Sequence, residues 1–349
     1  MGINMTINRL PAPTWNWLHV NEAALSVADT PAEGQVKAET PDSIQYYKEE
    51  TTPSCFAQIP TGLGEELDAL FTQCGALTRI WEIAPGVKES EPVRLHFSYQ
   101  DGAVWQNRIG ILAGENSAIT VVMDFCGEVE GFAAVQTKIA AGKGAKVRLV
   151  QIQKLQDGFT FLNDVGTSCG EGAQIETIQI MLGGGDTYMG MRTDLGARAA
   201  RLESKIGYLL NKKESLDMNY LAYHTGAKTT SQMDVSGVLR GESKKIFRGT
   251  IDFRHGSVGA KGDEKEDVLL LSDGVANRTV PLILCEEEDV EGNHGATIGR
   301  LDESLLFYLS SRGIEEKEIY EMMARARIDA LCADIADEKT RCLVQRCLG

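Results

Sequence analysis

The chain has 349 residues, which exceeds the usual size of one domain, so we expect one large core with appendages or two to three domains. Its formal net charge of −15 repels phosphate backbones and anionic membrane surfaces, which argues against nucleic acid or a membrane as partner. No run approaches the roughly 20 apolar residues that span a bilayer. Residues 1–20 contain prolines and tryptophans instead of an apolar signal segment, so we expect a cytoplasmic protein.

The N-terminal quarter predicts an extended arm followed by one short helix. Residues 10–20 combine two prolines, which favour extended backbone, with Trp15 and Trp17, which supply apolar area for docking. We therefore expect a packed arm. Further along, apolar residues at helical spacing predict a short helix over residues 63–74, with Gly75 at its end.

From residue 76 onwards the pattern changes to short β-branched runs. Residues 119–125, 147–152 and 175–180 are examples, and each predicts a strand of about six residues. No long helical pattern interrupts these runs before residue 300, which argues against a sheet built from alternating strands and helices.

Gly-Ala pairs recur between the strand-like runs and indicate a repeated turn. The pairs that begin at residues 144, 172, 196, 226 and 259 are separated, by subtraction, by 28, 24, 30 and 33 residues. Such a period without helices is typical of a solenoid, whose coils bury their inward faces by stacking. We therefore predict a right-handed parallel β-helix of about eight coils, roughly 40 Å long at about 4.8 Å per coil, with a β-sandwich as the alternative.

Beyond residue 300 the pattern becomes helical. Asp302 is a candidate N-cap of a first helix that ends at Gly313, a second helix is predicted from about Glu315, and a third includes residues 343–348. These amphipathic helices suit either a cap on the end of the solenoid or a partner's groove. The predicted division is an N-terminal arm with a short helical segment (1–75), a β-helix core (76–300) and a C-terminal helical region (301–349).

Several ordered motifs resemble the SufB/SufD family of iron–sulfur cluster assembly proteins. They are FRGTI at 247–251, LLLSD at 269–273, Pro281, HGAT at 294–297 and LFYLSSRGI at 306–314. The arm that begins at Leu10 is similar to the N-terminal segment of SufD-type members. The resemblance is dense over about residues 245–314 and loose over the preceding coils.

The resemblance implies a scaffold protein, not an enzyme, built on a β-helix with flanking helical segments. SufB and SufD pair through their β-helices, and each holds one SufC ATPase through its C-terminal helical region, so a SufB-like subunit and a SufC-like ATPase are the expected partners. No cofactor is expected to bind firmly to this chain alone. An iron–sulfur cluster is expected transiently in the complex, and ATP on the partner ATPase, since the chain has no G-x-x-x-x-G-K-[ST] run.

The subtype is indicated by thiols that the sequence lacks. SufB members carry a cysteine a few residues before the strand that begins here at Leu269, whereas Lys265, Glu266 and Asp267 stand at the nearest positions. The chain therefore resembles SufD, with a SufB-type scaffold as the alternative. Many SufD members also have a cysteine two residues before the motif histidine, where this chain has Gly292.

His294 is the candidate residue for cluster assembly and for metal binding. A neutral imidazole can ligate iron, and histidine can exchange a proton near neutral pH. The resemblance places His294 at the SufB–SufD interface, where the cluster forms. The alternative is a structural histidine in a turn bounded by glycines.

The resemblance also implies two contact surfaces. Subunit pairing is expected to involve Leu269, Leu270, Leu271 and Thr297. Docking of the ATPase subunit is expected to involve Phe307, Tyr308, Arg312, Met322 and Met323.

The eight cysteines form no C-x-x-C pair, which fits free thiols in a reducing compartment. Cys285 is expected to be a small buried residue in a strand. Cys332, Cys342 and Cys347 are expected to pack in the core, because the last two point about 140° apart on one helix and do not converge.

Two other functions fit a β-helix, namely an unrelated adaptor and a polysaccharide lyase. A lyase needs acidic side chains clustered on a groove, and no such cluster is evident in the sequence. The nearest group is Asp252, Arg254 and His255, which we expect to form a solvated corner next to Gly256.

Overall fold

The N-terminal residues form small elements that lead into the main body of the protein. The structure, a computed structural model, describes residues 2–128 and 130–348. The N-terminal elements are strands β1 (Ile3–Ile7), β2 (Ala23–Val27), β3 (Ala32–Glu33), β4 (Lys37–Glu39) and β5 (Ile44–Glu49), a 3₁₀ turn (Asn16–Leu18), and helices α1 (Ser54–Ala57) and α2 (Glu65–Gln73). The helix predicted over residues 63–74 is α2, and Gly75 follows it with a φ of 60°.

Sixteen strands then wind through eight coils, with two strands in each coil. The first sheet contains β6 (Thr78–Ile83), β8 (Ala103–Ala113), β10 (Gly131–Ala141), β12 (Phe159–Cys169), β14 (Asp186–Leu195), β16 (Ser215–His224), β18 (Lys244–Phe253) and β20 (Ala276–Cys285). The second sheet contains β7 (Val93–Ser98), β9 (Ala118–Gly127), β11 (Lys146–Leu155), β13 (Gln174–Met181), β15 (Arg201–Leu210), β17 (Thr230–Leu239), β19 (Ala260–Leu270) and β21 (Val290–Gly299). Neighbouring strands of these two sets are parallel, which confirms the predicted solenoid over the β-sandwich.

The predicted turn chemistry explains how each coil passes from its strand in the first sheet to its strand in the second. The Gly-Ala pairs at 144 and 172 directly precede β11 and β13, and both glycines have a φ near +65°, which costs a glycine little. Side chains that alternate inwards from both sheets then fill one continuous apolar core between them. The pair at 295–296 differs, because it lies inside β21 and not in a turn.

The outer faces of both sheets are covered by the terminal segments of the chain. The β1–β2 hairpin and α2 pack on the first sheet through one apolar cluster. Three C-terminal helices follow the solenoid, α3 (Glu303–Ser311), α4 (Glu316–Cys332) and α5 (Glu338–Leu348). Asp302 caps α3 as predicted, with its carboxylate accepting from the Leu305 backbone N–H at 3.0 Å.

The two ends of the solenoid differ in whether other strands cover their edges. At the first coil, β5 and β4 pair antiparallel with β6 and β7 and cover the strand edges. At the last coil, β20 and β21 are the terminal strands of their sheets, and no other described strand pairs with their outer edges. The idea that the C-terminal helices cap this end is wrong, since α4 and α5 instead pack their apolar residues across the outer face of the second sheet.

The N-terminal arm is packed at its ends but not at its tryptophans. Leu10 and Val20 are buried, whereas Trp15 and Trp17 are 73% and 69% exposed, so the expectation that the tryptophans dock was wrong. The arm is held through its backbone instead, because Arg248 Nε donates to the Val20 carbonyl at 2.5 Å. None of the helices in the described residues is long and apolar enough to cross a membrane.

Candidate functional site

His294 lies in the middle of β21 and is directed towards the solenoid interior at its uncovered end. A Cβ built on Gly292 would lie 3.0 Å from the Phe253 ring and 3.2 Å from Ile283 Cγ2, so position 292 faces inwards. Side chains two residues apart on a strand share a face, and His294 therefore faces inwards as well. It is exposed because no further coil stacks on β21.

Glu264 is the neighbour of His294 in the preceding coil. The two residues are in parallel register on β19 and β21, which places their side chains on the same inward face. Glu264 is only 3% exposed, and its Oε2 has no hydrogen-bond partner. Burial raises the pKa of its carboxyl to about 7, with the charge of Glu266 adding to the effect and Lys245 opposing it. A proton acceptor that titrates near neutrality therefore lies beside the histidine.

A buried ion pair lies next to this carboxyl. The Lys245 ammonium on β18 donates to Glu266 on β19, and both side chains are fully buried. Thr279 on β20 donates to Glu266 Oε2 at 2.6 Å and accepts from Lys245 Nζ at 3.1 Å. Burial lowers the pKa of Lys245, while the Glu266 carboxylate opposes that shift.

We call these five residues the inner polar cluster: Lys245, Glu264, Glu266, Thr279 and His294. The cluster lies beside the last apolar residues of the core, and Gly249 makes room for it, because a Cβ at that position would collide with the Glu264 carboxylate. Such a set of buried charges with a perturbed pKa, open at one end, is typical of a functional site. It can hold a proton or present a ligand at the uncovered end of the solenoid.

His294 does not complete a metal site within this chain. Among residues 2–128 and 130–348, it belongs to no group of three converging His, Cys, Asp or Glu donors. No thiol stands at the nearby positions where the resemblance implies one: residues 265–267 include Glu266, which is paired with Lys245, and Gly292 stands two residues before His294.

The residues predicted for subunit pairing separate into two environments. Thr297 is exposed on β21, at the uncovered end. Leu269 is instead buried in a cluster with Val238 and Ala324 of α4, while Leu270 packs on the core and Leu271 beside α4. The role of these residues in pairing stays a prediction.

The residues predicted for ATPase docking form an exposed apolar surface on the C-terminal helices. Helix α3 buries no side chain, and Phe307 is 76% exposed. Tyr308 and Met322 are also exposed, and the Arg312 guanidinium lies 5.2 Å from the centre of the Tyr308 ring. Met323 is half-buried against the cluster beneath α4.

Three expectations about polar residues and thiols need correction. Cys285 is exposed at the end of β20, where it contacts the Glu287 carbonyl. Cys342 on α5 is also exposed, whereas Cys332 is buried as predicted. The expected solvated corner is partly buried, because Asp252 is 1% exposed and accepts from Arg254 Nη2 at 3.0 Å.

Sequence reasoning missed Lys245 and Glu264 as members of the site. Residues 263–267 read DEKED, a charged run that suggests a solvated segment, yet alternation along β19 turns Glu264 and Glu266 inwards. The two-residue alternation of a strand could have revealed them. Counting back in steps of two from the buried Val268 places Glu266 and Glu264 on the same inward face.

Most of the solenoid and part of the C-terminal helical region match one known protein family. The sequence model of the family described as SUF system FeS cluster assembly, SufBD core domain, matches residues 96–327. The iron–sulfur cluster assembly protein SufD of Bacillus subtilis is 26% identical over 242 residues, which are 68% of this chain and 55% of that protein. SufB of the same organism is 24% identical over 260 residues, 73% of this chain and 56% of that protein.

A longer but weaker similarity extends over most of the chain. A SufBD family protein of Synechocystis is 22% identical over 315 residues, which are 86% of this chain and 62% of that protein. The chain spans little more than half the length of these curated relatives. The extent of the family match decides against an unrelated β-helix adaptor.

Proposed function

Because the chain belongs to the SufBD core-domain family of the SUF iron–sulfur cluster assembly system, we propose that it is a SufD-like scaffold subunit. In this proposal it acts in the cytoplasm with a SufB-like subunit and a SufC-like ATPase, and it is not an enzyme by itself. The iron–sulfur cluster is the cargo of the complex and is held transiently, while ATP is handled by the partner. The observation that carries the proposal is the inner polar cluster at the uncovered end of the solenoid.

The uncovered end has the features of a pairing surface. The outer edges of β20 and β21 offer backbone donors and acceptors to a partner's strands, and such edges are ready templates for strand addition. Exposed Ile283 and Ile298 add apolar area on these two strands. Trp15 and Trp17 lie close by, since Arg278 of β20 donates to the Leu18 carbonyl at 3.2 Å, and tryptophan is enriched among residues that dominate binding energy.

His294 then contributes one donor to a site that two subunits share. The incomplete donor set around it fits this role, because a partner's thiol or carboxylate would supply the remaining ligands. Glu264, with a pKa near 7, can accept the proton that an incoming thiol releases on binding iron.

The SufD-like assignment is supported by the interior of the last coils. In SufB members a cysteine precedes the strand that begins here at Leu269, and this chain has acids and a lysine instead. Glu266 forms a buried ion pair with Lys245. A carboxylate paired in this way cannot carry sulfur as a cysteine thiol does.

Docking of the ATPase is proposed at α3 and the adjoining face of α4. Helix α3 buries none of its side chains and exposes Phe307 and Tyr308. Its side chains therefore contribute little to the stability of the folded chain. Exposed aromatic side chains of this kind commonly mark a protein–protein contact.

The experiment that tests the proposal compares two exposed histidines in the co-expressed three-subunit complex. We expect His294→Ala to leave the complex intact but to lower the yield of iron–sulfur cluster, measured as bound iron and sulfide per complex. His255→Ala, at an exposed turn before β19, is the matched control and should retain the wild-type yield. Equal cluster yields in both variants would return His294 to a structural role.

A further inference from the structure

Three side chains of different chemistry converge at the opposite end of the solenoid from the inner polar cluster. His96 on β7 is in register with Asp124 on β9, and Cys126 lies two residues further along the outward face of β9. His96 Nδ1 is 2.5 Å from Asp124 Oδ2, and Cys126 Sγ is 3.8 Å from the same oxygen. One donor atom from each residue lies within 4.8 Å of those of the other two.

Helix α5 brings a second thiol to the same place. Cys347 lines, together with Cys126, a groove of about 1100 Å³ between the outer face of the second sheet and the end of α5. The other end of this helix is fixed, since Arg94 of β7 pairs with Asp337 at 2.8 Å. The Cys126 and Cys347 side chains therefore face the same groove, although the Cys347 sulfur does not lie within 4.8 Å of all three of the other donor atoms.

We propose that His96, Asp124, Cys126 and Cys347 form a tetrahedral site for a divalent metal ion of borderline softness, Zn²⁺ or Fe²⁺. Imidazole, carboxylate and thiolate groups are the usual donors to these ions. The site lies on the outer face of the first two coils and does not depend on the proposed function of His294.

The three clustered donors need little adjustment to accept the ion, whereas Cys347 becomes the fourth ligand only if the end of α5 shifts towards them. Metal–ligand bonds of about 2.0–2.3 Å place tetrahedral ligand atoms about 3.3–3.8 Å apart. The Cys126–Asp124 separation of 3.8 Å already fits, and the 2.5 Å His96–Asp124 contact must widen by about 1 Å.

A bound divalent ion would offset most of the negative charge of its ligands. Two thiolates and one carboxylate carry three negative charges, which a divalent cation offsets in part, and Lys154 and Arg346 line the adjoining groove. Without metal, burial raises the pKa of Cys126 to about 12, with Asp124 adding to the shift and Lys154 opposing it. Metal binding must therefore displace the thiol protons. The bound ion would link the end of α5 to the second coil.

Titration of the reduced, full-length chain with Co²⁺ under anaerobic conditions tests the proposal. We expect one equivalent of Co²⁺ to bind with the visible absorption of tetrahedral, thiolate-ligated cobalt. Zn²⁺ and Fe²⁺ should then displace the cobalt, and the ion that competes more strongly is the preferred one. Cys126→Ser, Cys347→Ser and His96→Ala should each weaken binding at least tenfold. Cys285→Ser, which removes an exposed thiol on β20, is the matched control and should bind as the wild type does.

The outcomes are separable from misfolding and from the scaffold function. His96→Ala changes a half-exposed side chain on the outer face, so it tests the site with little effect on packing. Absence of cobalt–thiolate absorption in the wild type, or unchanged binding in Cys126→Ser and His96→Ala, would overturn the proposal. Unchanged affinity in Cys347→Ser would overturn the assignment of the fourth donor.

Discussion

Replacing Lys245 by methionine should strongly destabilise the last coils of the solenoid. The Lys245–Glu266 pair is fully buried, so Lys245→Met leaves a carboxylate without its counter-ion in the core. Breaking a buried pair from one side typically costs about 3–5 kcal/mol. With an unfolding entropy of about 2.1 cal/mol/K per residue, a chain of 349 residues that unfolds as one unit would lose roughly 4–7 °C in Tm.

A double variant and a surface variant make this prediction specific. Lys245→Met/Glu266→Met removes both charges and keeps similar volume, so it should recover most of the lost stability, less about 1 kcal/mol for the Thr279 hydrogen bond. Lys261→Met is the matched control, because the Lys261–Glu291 pair is 58% and 65% exposed and such pairs contribute about 0–1 kcal/mol. Urea unfolding followed by circular dichroism gives the comparison. If Lys245→Met were no less stable than Lys261→Met, the reasoning about the buried pair would be refuted.

Three further predictions concern pH, packing and docking. Glu264 has a carboxyl pKa of about 7 in the folded protein against an ordinary value of 4.5, so its contribution to stability should fall by roughly 3 kcal/mol at most as pH rises from 4.5 to 7. Glu264→Gln should remove that part of the slope in urea unfolding at pH 5 and pH 7.5, and an unchanged slope would contradict the assignment. Gly237→Ala places a Cβ against the Tyr208 ring and should cost about 1–3 kcal/mol, whereas Gly295→Ala, with open space around it, should cost less than 1 kcal/mol on the same scale. Phe307→Ala should leave Tm unchanged but weaken binding of the ATPase subunit by about 2 kcal/mol or more in calorimetry; equal affinity would remove Phe307 from the docking surface.

The solenoid could be predicted from the sequence because its signals are local. Short β-branched runs and Gly-Ala turns repeat along the chain, and the structure places the runs at 119–125, 147–152 and 175–180 in β9, β11 and β13. Helix ends were predictable for the same reason, since Asp302 and Gly313 act within one turn of the backbone.

Contacts between coils could not be predicted in the same way. His96 had no partner at a diagnostic spacing in the sequence, yet Asp124 lies beside it because the strands of successive coils are in register 28 residues apart. Lys245 and Glu266 meet across the core from different sheets, which requires the register of both. Periodicity also does not show where an amphipathic helix packs, so the position of α4 on the side of the solenoid instead of its end was missed.

The mass and composition of the complex purified through this chain from its own cell extract test the central claim most directly. We expect a SufB-like subunit and a SufC-like ATPase to purify with it in defined ratio. A chain recovered alone, or with partners unrelated to these two, would contradict its assignment as a scaffold subunit of an iron–sulfur cluster assembly complex.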